Sequence, residues 1–307
     1  MSKFFRTSFG LLLFVLVTSI ALAGAGGLRK VIDTAAVLRD AAFYRDLAYV
    51  SNGHERQRLD LFVPANAATP PLIILVHGGA FRAGSKENMR PAPFLRHGYA
   101  VASINYRLSG DALWPAQIED CKAAVRWLRA HAKEYGYDPE RIGAHGTSAG
   151  GHLVAMLGST SADMKFDVGE NLDVSSRVQA VADFFGPTDF LQMDAHRIPT
   201  GQVHDGPDSP ESLLIGGSIQ ENKEKSTSAN PIAYVSKESP PFLIVHGDMD
   251  PLVPWHQSQL LFDALAGTGV PVTFYTVGGG GHGGFRDPHV EALMLEFFAK
   301  HLKRGRE

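Results

Sequence analysis

The sequence has very little cysteine: Cys121 is the only one among 307 residues. An intramolecular disulfide is therefore impossible, and the stability of the fold has to come from a packed core. Cys121 shares one helical face with Ile118, Val125 and Leu128. We interpret it as a packed thiol rather than as a nucleophile.

An excess of positive charge is also missing. Lysine and arginine number 29 against 32 acidic residues, for a formal net charge of −3. This balance provides neither the basic field that holds nucleic acid nor a polybasic patch for a membrane surface. We expect no nucleic-acid partner, and a small neutral substrate is compatible with this composition.

The apolar run near the N-terminus is too short to cross a bilayer. It covers residues 9–21, whereas a membrane span needs about 20 apolar residues. Lys3 and Arg6 precede it and small residues follow it, which is the order found in a secretory signal. We predict a signal peptide at residues 1–23, cut after Ala23. We therefore expect a secreted or periplasmic protein with no stable membrane association after cleavage.

Strand-like and helix-like segments alternate along the rest of the chain. Several short runs are apolar throughout, which is typical of strands buried on both faces. The alternation predicts an α/β fold: a doubly wound, mostly parallel sheet of about eight strands with helices on both faces. The clearest runs are Leu72–Val76, Tyr99–Tyr106, Val178–Phe185, Phe242–His246 and Val272–Val277.

Two segments fall outside this regular alternation. Near the N-terminus we predict a short helix within residues 31–47, a first strand at 46–50, and an antiparallel second strand at 58–64. Residues 187–235 contain five prolines and one short helical candidate, Pro210–Leu214. We interpret residues 187–235 as a small cap over the active edge of one catalytic domain, residues 24–307.

The motif Gly146-x-Ser148-x-Gly150 stands between a strand-like and a helix-like segment. Such a strand-to-helix turn is a nucleophile elbow, and small residues on both sides of the serine allow its tight geometry. We predict that Ser148 is the nucleophile. The N–H of Ala149, at the start of the helix, would help to stabilise an oxyanion.

Loops at the carboxyl ends of parallel strands share one edge of the sheet, so distant residues can meet there. Ser148 follows the elbow strand, Asp250 the next-to-last predicted strand and His282 the last. A serine nucleophile needs an imidazole base, which in turn needs an acid to orient it. Asp248 is an alternative acid, but Asp250 lies further into its loop. We interpret His246 and His152 as structural.

Gly78 and Gly79 follow the buried strand that ends at Val76. Without a Cβ atom their N–H groups can approach a substrate oxygen, so we predict that they complete the oxyanion hole with Ala149. The phosphate-binding signatures G-x-x-x-x-G-K-[ST] and G-x-G-x-x-G do not occur there. We predict no cofactor and no metal, because the sequence has no helical pair such as H-E-x-x-H.

The chain resembles the α/β-hydrolase superfamily, and more narrowly the HGG-type esterases, which include hormone-sensitive-lipase-like and bifunctional feruloyl/acetyl-xylan esterase-like groups. The third glycine of an HGGG motif is Ala80 here, which leaves Gly78 and Gly79 as the expected donors. The resemblance implies a Ser148–Asp250–His282 triad. It rests on the segments His77–Phe81, Gly146–Leu153, Phe185–Asp189 and His246–Pro254.

The resemblance also implies hydrolysis of carboxylic esters, with short-acyl or feruloyl and acetyl esters of plant-wall carbohydrate as expected substrates. One alternative is a general carboxylesterase or lipase-like enzyme. Another is a prolyl-oligopeptidase-like peptidase, although the chain has no room for that family's large propeller domain. A non-catalytic binding protein is disfavoured because all three triad positions are filled.

Overall fold

A computed structural model describes residues 34–303. The predicted signal peptide, residues 1–23, lies outside this range. Within the range, no helix has both the length and the apolar character needed to cross a membrane.

Residues 34–303 form one open sheet of eight strands in the order β1-β2-β4-β3-β5-β6-β7-β8. Strand β2 pairs antiparallel with both β1 and β4, and strands β3 to β8 pair in parallel. The predicted mostly parallel sheet is therefore confirmed. The strands are β1 (Ala41–Ala48), β2 (Arg58–Pro64), β3 (Leu72–Val76), β4 (Ala100–Ile104), β5 (Ile142–Thr147), β6 (Ala180–Phe184), β7 (Phe242–Gly247) and β8 (Val272–Val277).

Helices cover both faces of the sheet, so each central strand has two buried faces. Successive strand residues point to opposite sides, and Ile74 accordingly joins one core while Ile73 and Leu75 join the other. Helices α3, α4 and α8 contribute to the first core, and α2 and α9 to the second. The helices are α1 (Thr34–Arg39), α2 (Ala92–Arg96), α3 (Ala116–Tyr135), α4 (Ala149–Ser159), α5 (Met193–His196), α6 (Pro210–Ile215), α7 (Lys223–Ser228), α8 (His256–Gly267) and α9 (Pro288–Leu302).

The N-terminal boundaries differ from the prediction. The predicted short helix is present within residues 31–47 but ends at Arg39. Strand β1 already begins at Ala41, so the boundaries predicted for the first strand, 46–50, are wrong. Strand β1 is an edge strand whose side chains are mostly exposed, and its sequence therefore lacks the alternation of a half-buried strand. The antiparallel pairing of β1 with β2 agrees with the prediction.

Residues 187–235, hereafter the cap segment, contain more helix than the single short candidate suggested. Helices α5, α6 and α7 all lie there, with two short 3-10 turns. Phe190 and Met193 are completely buried in the core shared with α3 and α4. The cap segment is thus packed onto the body of the domain through its own apolar side chains.

Candidate active site

Ser148 occupies a sharp turn between β5 and α4. Its backbone has φ 56° and ψ −123°, a conformation that costs a residue with a side chain about 1–3 kcal/mol. Glycines on both sides make the turn possible. A Cβ at Gly146 would lie 2.1 Å from the Gly150 carbonyl oxygen, and one at Gly150 would lie 2.1 Å from that of Val76. Both distances are far below van der Waals contact, so with this backbone only glycine fits at positions 146 and 150.

Three side chains from separate loops meet above this turn. Ser148 Oγ lies 2.8 Å from His282 Nε2, and His282 Nδ1 lies 2.7 Å from Asp250 Oδ2. An ionised carboxylate can only accept, so His282 donates through Nδ1 and its Nε2 can accept the serine proton. This is the arrangement by which an imidazole activates a serine. The structure therefore brings together the three residues that the sequence predicted would converge.

Asp250 is held in place from several directions. Its Oδ1 accepts the N–H groups of Leu252 and Val253 at 2.8 and 3.0 Å, and the residue is only 2% exposed. Burial acts to raise the pKa of Asp250, but hydrogen bonds from His246 and His282 outweigh it and hold that pKa well below its usual value. The carboxyl group is accordingly ionised at neutral pH.

Asp248 has a different position. Its Oδ1 accepts the N–H of Gly279 at 2.7 Å, which ties the loop after β7 to the loop that carries His282. The carboxylate that reaches His282 is that of Asp250, as the position of the two aspartates in the loop predicted. Asp248 supports the loop instead.

His246, which the sequence analysis interpreted as structural, contacts Asp250 directly. It is completely buried at the end of β7. Its Nε2 lies 3.0 Å from Asp250 Oδ2 and 2.9 Å from the Val253 carbonyl oxygen, while its Nδ1 lies 2.7 Å from Ser258 Oγ. The H-G-x-x-D spacing was visible in the sequence, but it did not reveal that the two side chains touch.

The loop after β3 borders the serine on one side. Gly78 and Gly79 line the same cavity as Ser148. Ala149 lines a second space, which Ser148 also borders. His77, at the base of this loop, stacks on Tyr106 at 4.5 Å. Burial lowers the pKa of His77 to about 4, so the ring is neutral. Its Nε2 can accept from the Arg56 guanidinium, 3.3 Å away.

Two spaces of very different size meet at Ser148. The large cavity has a volume of about 790 Å³, and the small chamber about 60 Å³. Ala80, Leu252 and His282 border both of them with Ser148. The lining of the large cavity includes the polar side chains Asn88, Arg90, Asp287 and Glu291 and the aromatic and methionine side chains Met89, Phe94, Phe184, Phe185, Phe285 and Met294. The small chamber is closed by the cap-segment residues Pro187, Gln202, His204, Pro210 and Glu211.

The cap segment is tied to the loop that carries Asp250. The Gln202 N–H donates to the Pro251 carbonyl oxygen at 2.7 Å, and His204 Nε2 donates to that of Leu252 at 2.9 Å. His204 Nδ1 lies 2.9 Å from the buried Glu211 carboxylate. Burial lowers the pKa of His204, but the Glu211 hydrogen bond and charge outweigh it and the pKa is raised. This buried ion pair was not foreseen from the sequence.

A buried carboxyl group lies behind the nucleophile. Asp183 of β6 is opposite Gly146 in the sheet register and is completely inaccessible. Its Oδ1 accepts the Gly186 N–H at 3.0 Å, while its Oδ2 has no hydrogen-bond partner. Burial raises the pKa of Asp183 to about 7.

The other two histidines near the elbow are also buried. His152 Nδ1 lies 2.9 Å from the Pro187 carbonyl oxygen, and His145 Nδ1 lies 3.1 Å from that of Ala182. Burial lowers the pKa of each to about 4. Across residues 34–303, no three histidine, cysteine or acidic side chains are grouped as metal ligands would be.

Comparison with known proteins agrees with this geometry. Residues 59–265 match the BD-FAE protein family. The probable carboxylic ester hydrolase LipM of Mycobacterium tuberculosis is 33% identical over 242 residues, which cover 75% of this chain and 53% of LipM. The chain spans about half the length of the curated relatives it matches.

Two solved structures are similar to this chain over most of its length. A truncated carbohydrate esterase from gut microbiota is 35% identical with a TM-score of 0.78, and the match covers 86% of this chain and 97% of that one. A bifunctional GH43-CE protein of Bacteroides eggerthii also has 35% identity and a TM-score of 0.78, over 84% of this chain and 38% of its own. The fold is therefore the α/β-hydrolase fold.

Proposed function

Because the chain belongs to the BD-FAE family, we propose that it is a serine esterase that hydrolyses carboxylic esters through an acyl-enzyme. The observation that carries this proposal is the continuous hydrogen-bonded path from Ser148 through His282 to Asp250, with contacts of 2.8 and 2.7 Å. No cofactor is needed for this chemistry.

In the proposed cycle, His282 Nε2 takes the Ser148 proton as Oγ attacks the ester carbonyl carbon. Asp250 keeps the His282 ring in the correct tautomer and stabilises the imidazolium that forms. His282 then gives the proton to the departing alcohol oxygen. In the second half, His282 removes a proton from water as the water oxygen attacks the acyl carbon, and His282 then returns that proton to Ser148 Oγ as the acid is released.

The oxyanion formed in each half would be held by backbone N–H groups. We propose that Gly78, Gly79 and Ala149 supply them, since all three line the spaces that meet at Ser148. Donors fixed in advance are effective because they need no reorganisation during the reaction. Loss of one such donor typically costs about 10²–10³ in rate.

The two spaces at Ser148 support short-acyl or feruloyl and acetyl esters of carbohydrate as substrates. The small chamber, about 60 Å³, has room for an acetyl group but not for a long chain. The large cavity could accept either the alcohol portion or an aromatic acyl group such as feruloyl. One structural relative, at 35% identity, is a carbohydrate esterase. Export after removal of residues 1–23, which we also propose, suits a polymeric substrate outside the cell.

A second candidate is a general carboxylesterase that acts on small lipophilic esters. The aromatic and methionine side chains in the lining of the large cavity favour it, because they could pack against a lipophilic ester. The two candidates differ in the substrate and share the same catalytic steps.

The test is a comparison of kcat/KM for p-nitrophenyl acetate, butyrate, octanoate and palmitate, with methyl ferulate and acetylated xylan beside them. We expect the highest value for acetate among the p-nitrophenyl esters, and release of acetate or ferulate. Ser148→Ala should lose on the order of 10⁶ in kcat. If it kept a tenth of the wild-type activity, the serine mechanism would be wrong.

Phe285→Ala distinguishes the two spaces. It enlarges the large cavity only, so activity on methyl ferulate, whose acyl group would lie there, should fall more than activity on p-nitrophenyl acetate, whose acetyl group would lie in the small chamber. Phe43→Ala, at an exposed position on β1, is the matched control and should leave both activities unchanged. A maximum at octanoate or longer, without release of acetate or ferulate, would overturn the carbohydrate-ester proposal in favour of a lipase-like or general carboxylesterase.

A further inference from the structure

We propose that His246 is a positioning residue for the reaction: it fixes the Asp250 carboxylate and so sets how strongly that carboxylate holds His282. This inference rests on the proposed serine mechanism. His246 itself lines neither of the two spaces at Ser148, and the residue of the triad that it contacts is Asp250.

The key observation is that one carboxylate oxygen serves two histidines. Asp250 Oδ2 lies 2.7 Å from His282 Nδ1 and 3.0 Å from His246 Nε2. Both neighbours of His246 Nε2, the carboxylate and the Val253 carbonyl oxygen at 2.9 Å, can only accept. Nε2 of His246 must therefore carry a hydrogen.

The other side of the His246 ring is compatible with that tautomer. Nδ1 lies 2.7 Å from the hydroxyl of Ser258, which is near the start of α8 and completely buried. The Ser258 hydroxyl can donate to Nδ1 of the neutral ring, which leaves the hydrogen on Nε2. The Ser148–His282–Asp250 path thus continues through His246 to Ser258.

Burial makes this second donor effective. Asp250 and His246 side chains are inaccessible, and the Phe185 ring packs edge-on against His246 and His282 at 6.2 and 4.7 Å. Water cannot easily replace a lost donor there. A carboxylate oxygen that accepts from two imidazoles shares its charge between them. Without His246, the same oxygen would bind the His282 imidazolium more tightly but would be less firmly oriented.

The proposal therefore predicts two effects of replacing His246, which replacement of a merely structural residue would not cause together. In His246→Ala, kcat should fall about ten- to a hundredfold, the range typical of outer hydrogen-bond partners at metal sites, with KM unchanged. The acidic limb of the pH profile of kcat/KM should also move to higher pH, by about half a unit to one unit.

Further variants keep the test decisive if His246→Ala folds poorly. His246→Gln retains an N–H donor that can reach Asp250, so most of kcat and the wild-type pH midpoint should return. Ser258→Ala leaves the Asp250 contact and should give a smaller shift in the same direction. His152→Ala, at an equally buried histidine without contact to Asp250, is the matched control and should lower the melting temperature without moving the pH midpoint.

The experiment measures hydrolysis of p-nitrophenyl acetate by the full chain between pH 5 and 9. An unchanged midpoint in His246→Ala would overturn the inference, as would equal losses of kcat in His246→Ala and His246→Gln. Activity retained by Ser148→Ala in the same series would instead refute the serine mechanism itself, so the two failures are distinguishable.

Discussion

Replacing Asp183 by asparagine should stabilise the protein increasingly as the pH rises from about 4 to 7. The carboxyl group is completely buried and one of its oxygens has no hydrogen-bond partner. Its charged form is therefore disfavoured in the folded state, where burial raises the pKa from 3.8 to about 7. In the unfolded chain the same group ionises freely near its ordinary pKa.

The size and sign of the effect follow from proton linkage. Below pH 3.8 the group is protonated in both states and does not affect stability. Above that pH the unfolded chain loses its proton first, so unfolding becomes easier by about 1.4 kcal/mol per pH unit. The loss ends near pH 7, where the folded state ionises too, and its total is about 4 kcal/mol. Asparagine does not titrate, so Asp183→Asn should not show this loss.

The assay is urea unfolding of wild type and Asp183→Asn at half-unit intervals from pH 4.5 to 8. The difference in free energy of unfolding between the two proteins should grow with pH and level off above about 7, whatever its value at pH 4.5. The exposed Asp173 offers a matched control, because Asp173→Asn removes a charge without a burial effect. A difference that stays constant across the whole range would refute the reasoning.

Three further predictions follow from the site and the N-terminus. Asp250→Asn should lower kcat on the order of 10⁴-fold, whereas Asp248→Asn should cost far less because that carboxylate braces a loop; equal losses would contradict their assignment. Gly150→Ala should lower the melting temperature and abolish activity, since its Cβ would lie 2.1 Å from a backbone oxygen; a wild-type melting temperature would show that the turn can relax. Protein recovered from an exported fraction should lack residues 1–23 and begin at Gly24 by intact mass, and a retained first residue would contradict cleavage.

The sheet could be predicted where burial dictates the sequence. Every residue of Leu72–Val76 is buried, so the run is apolar throughout and its boundaries were evident. Strand β1 was misplaced because its side chains face solvent on an edge, where composition is weakly constrained. Phe43 and Tyr44 are exposed there and resemble part of an apolar helical face.

The same contrast applies to the site. Topology alone predicted that Ser148, Asp250 and His282 would meet, because all three follow strand ends on one edge of the sheet. The contact between His246 and Asp250 depends on how a short loop turns back, which spacing does not determine. The pairing of His204 with Glu211 was still less accessible, since it joins two irregular parts of the cap segment that share no periodic pattern.

The hydrogen bonds between the cap segment and the loop of Asp250 restrict the routes by which substrate can reach and leave Ser148. Gln202 and His204 hold the carbonyl groups of Pro251 and Leu252, and the Leu252 N–H holds Asp250. A hinge motion that lifted the cap segment would therefore pull on the acid that orients the base. We therefore expect substrate to reach and leave Ser148 through the large cavity, which borders the serine without involving these hydrogen bonds.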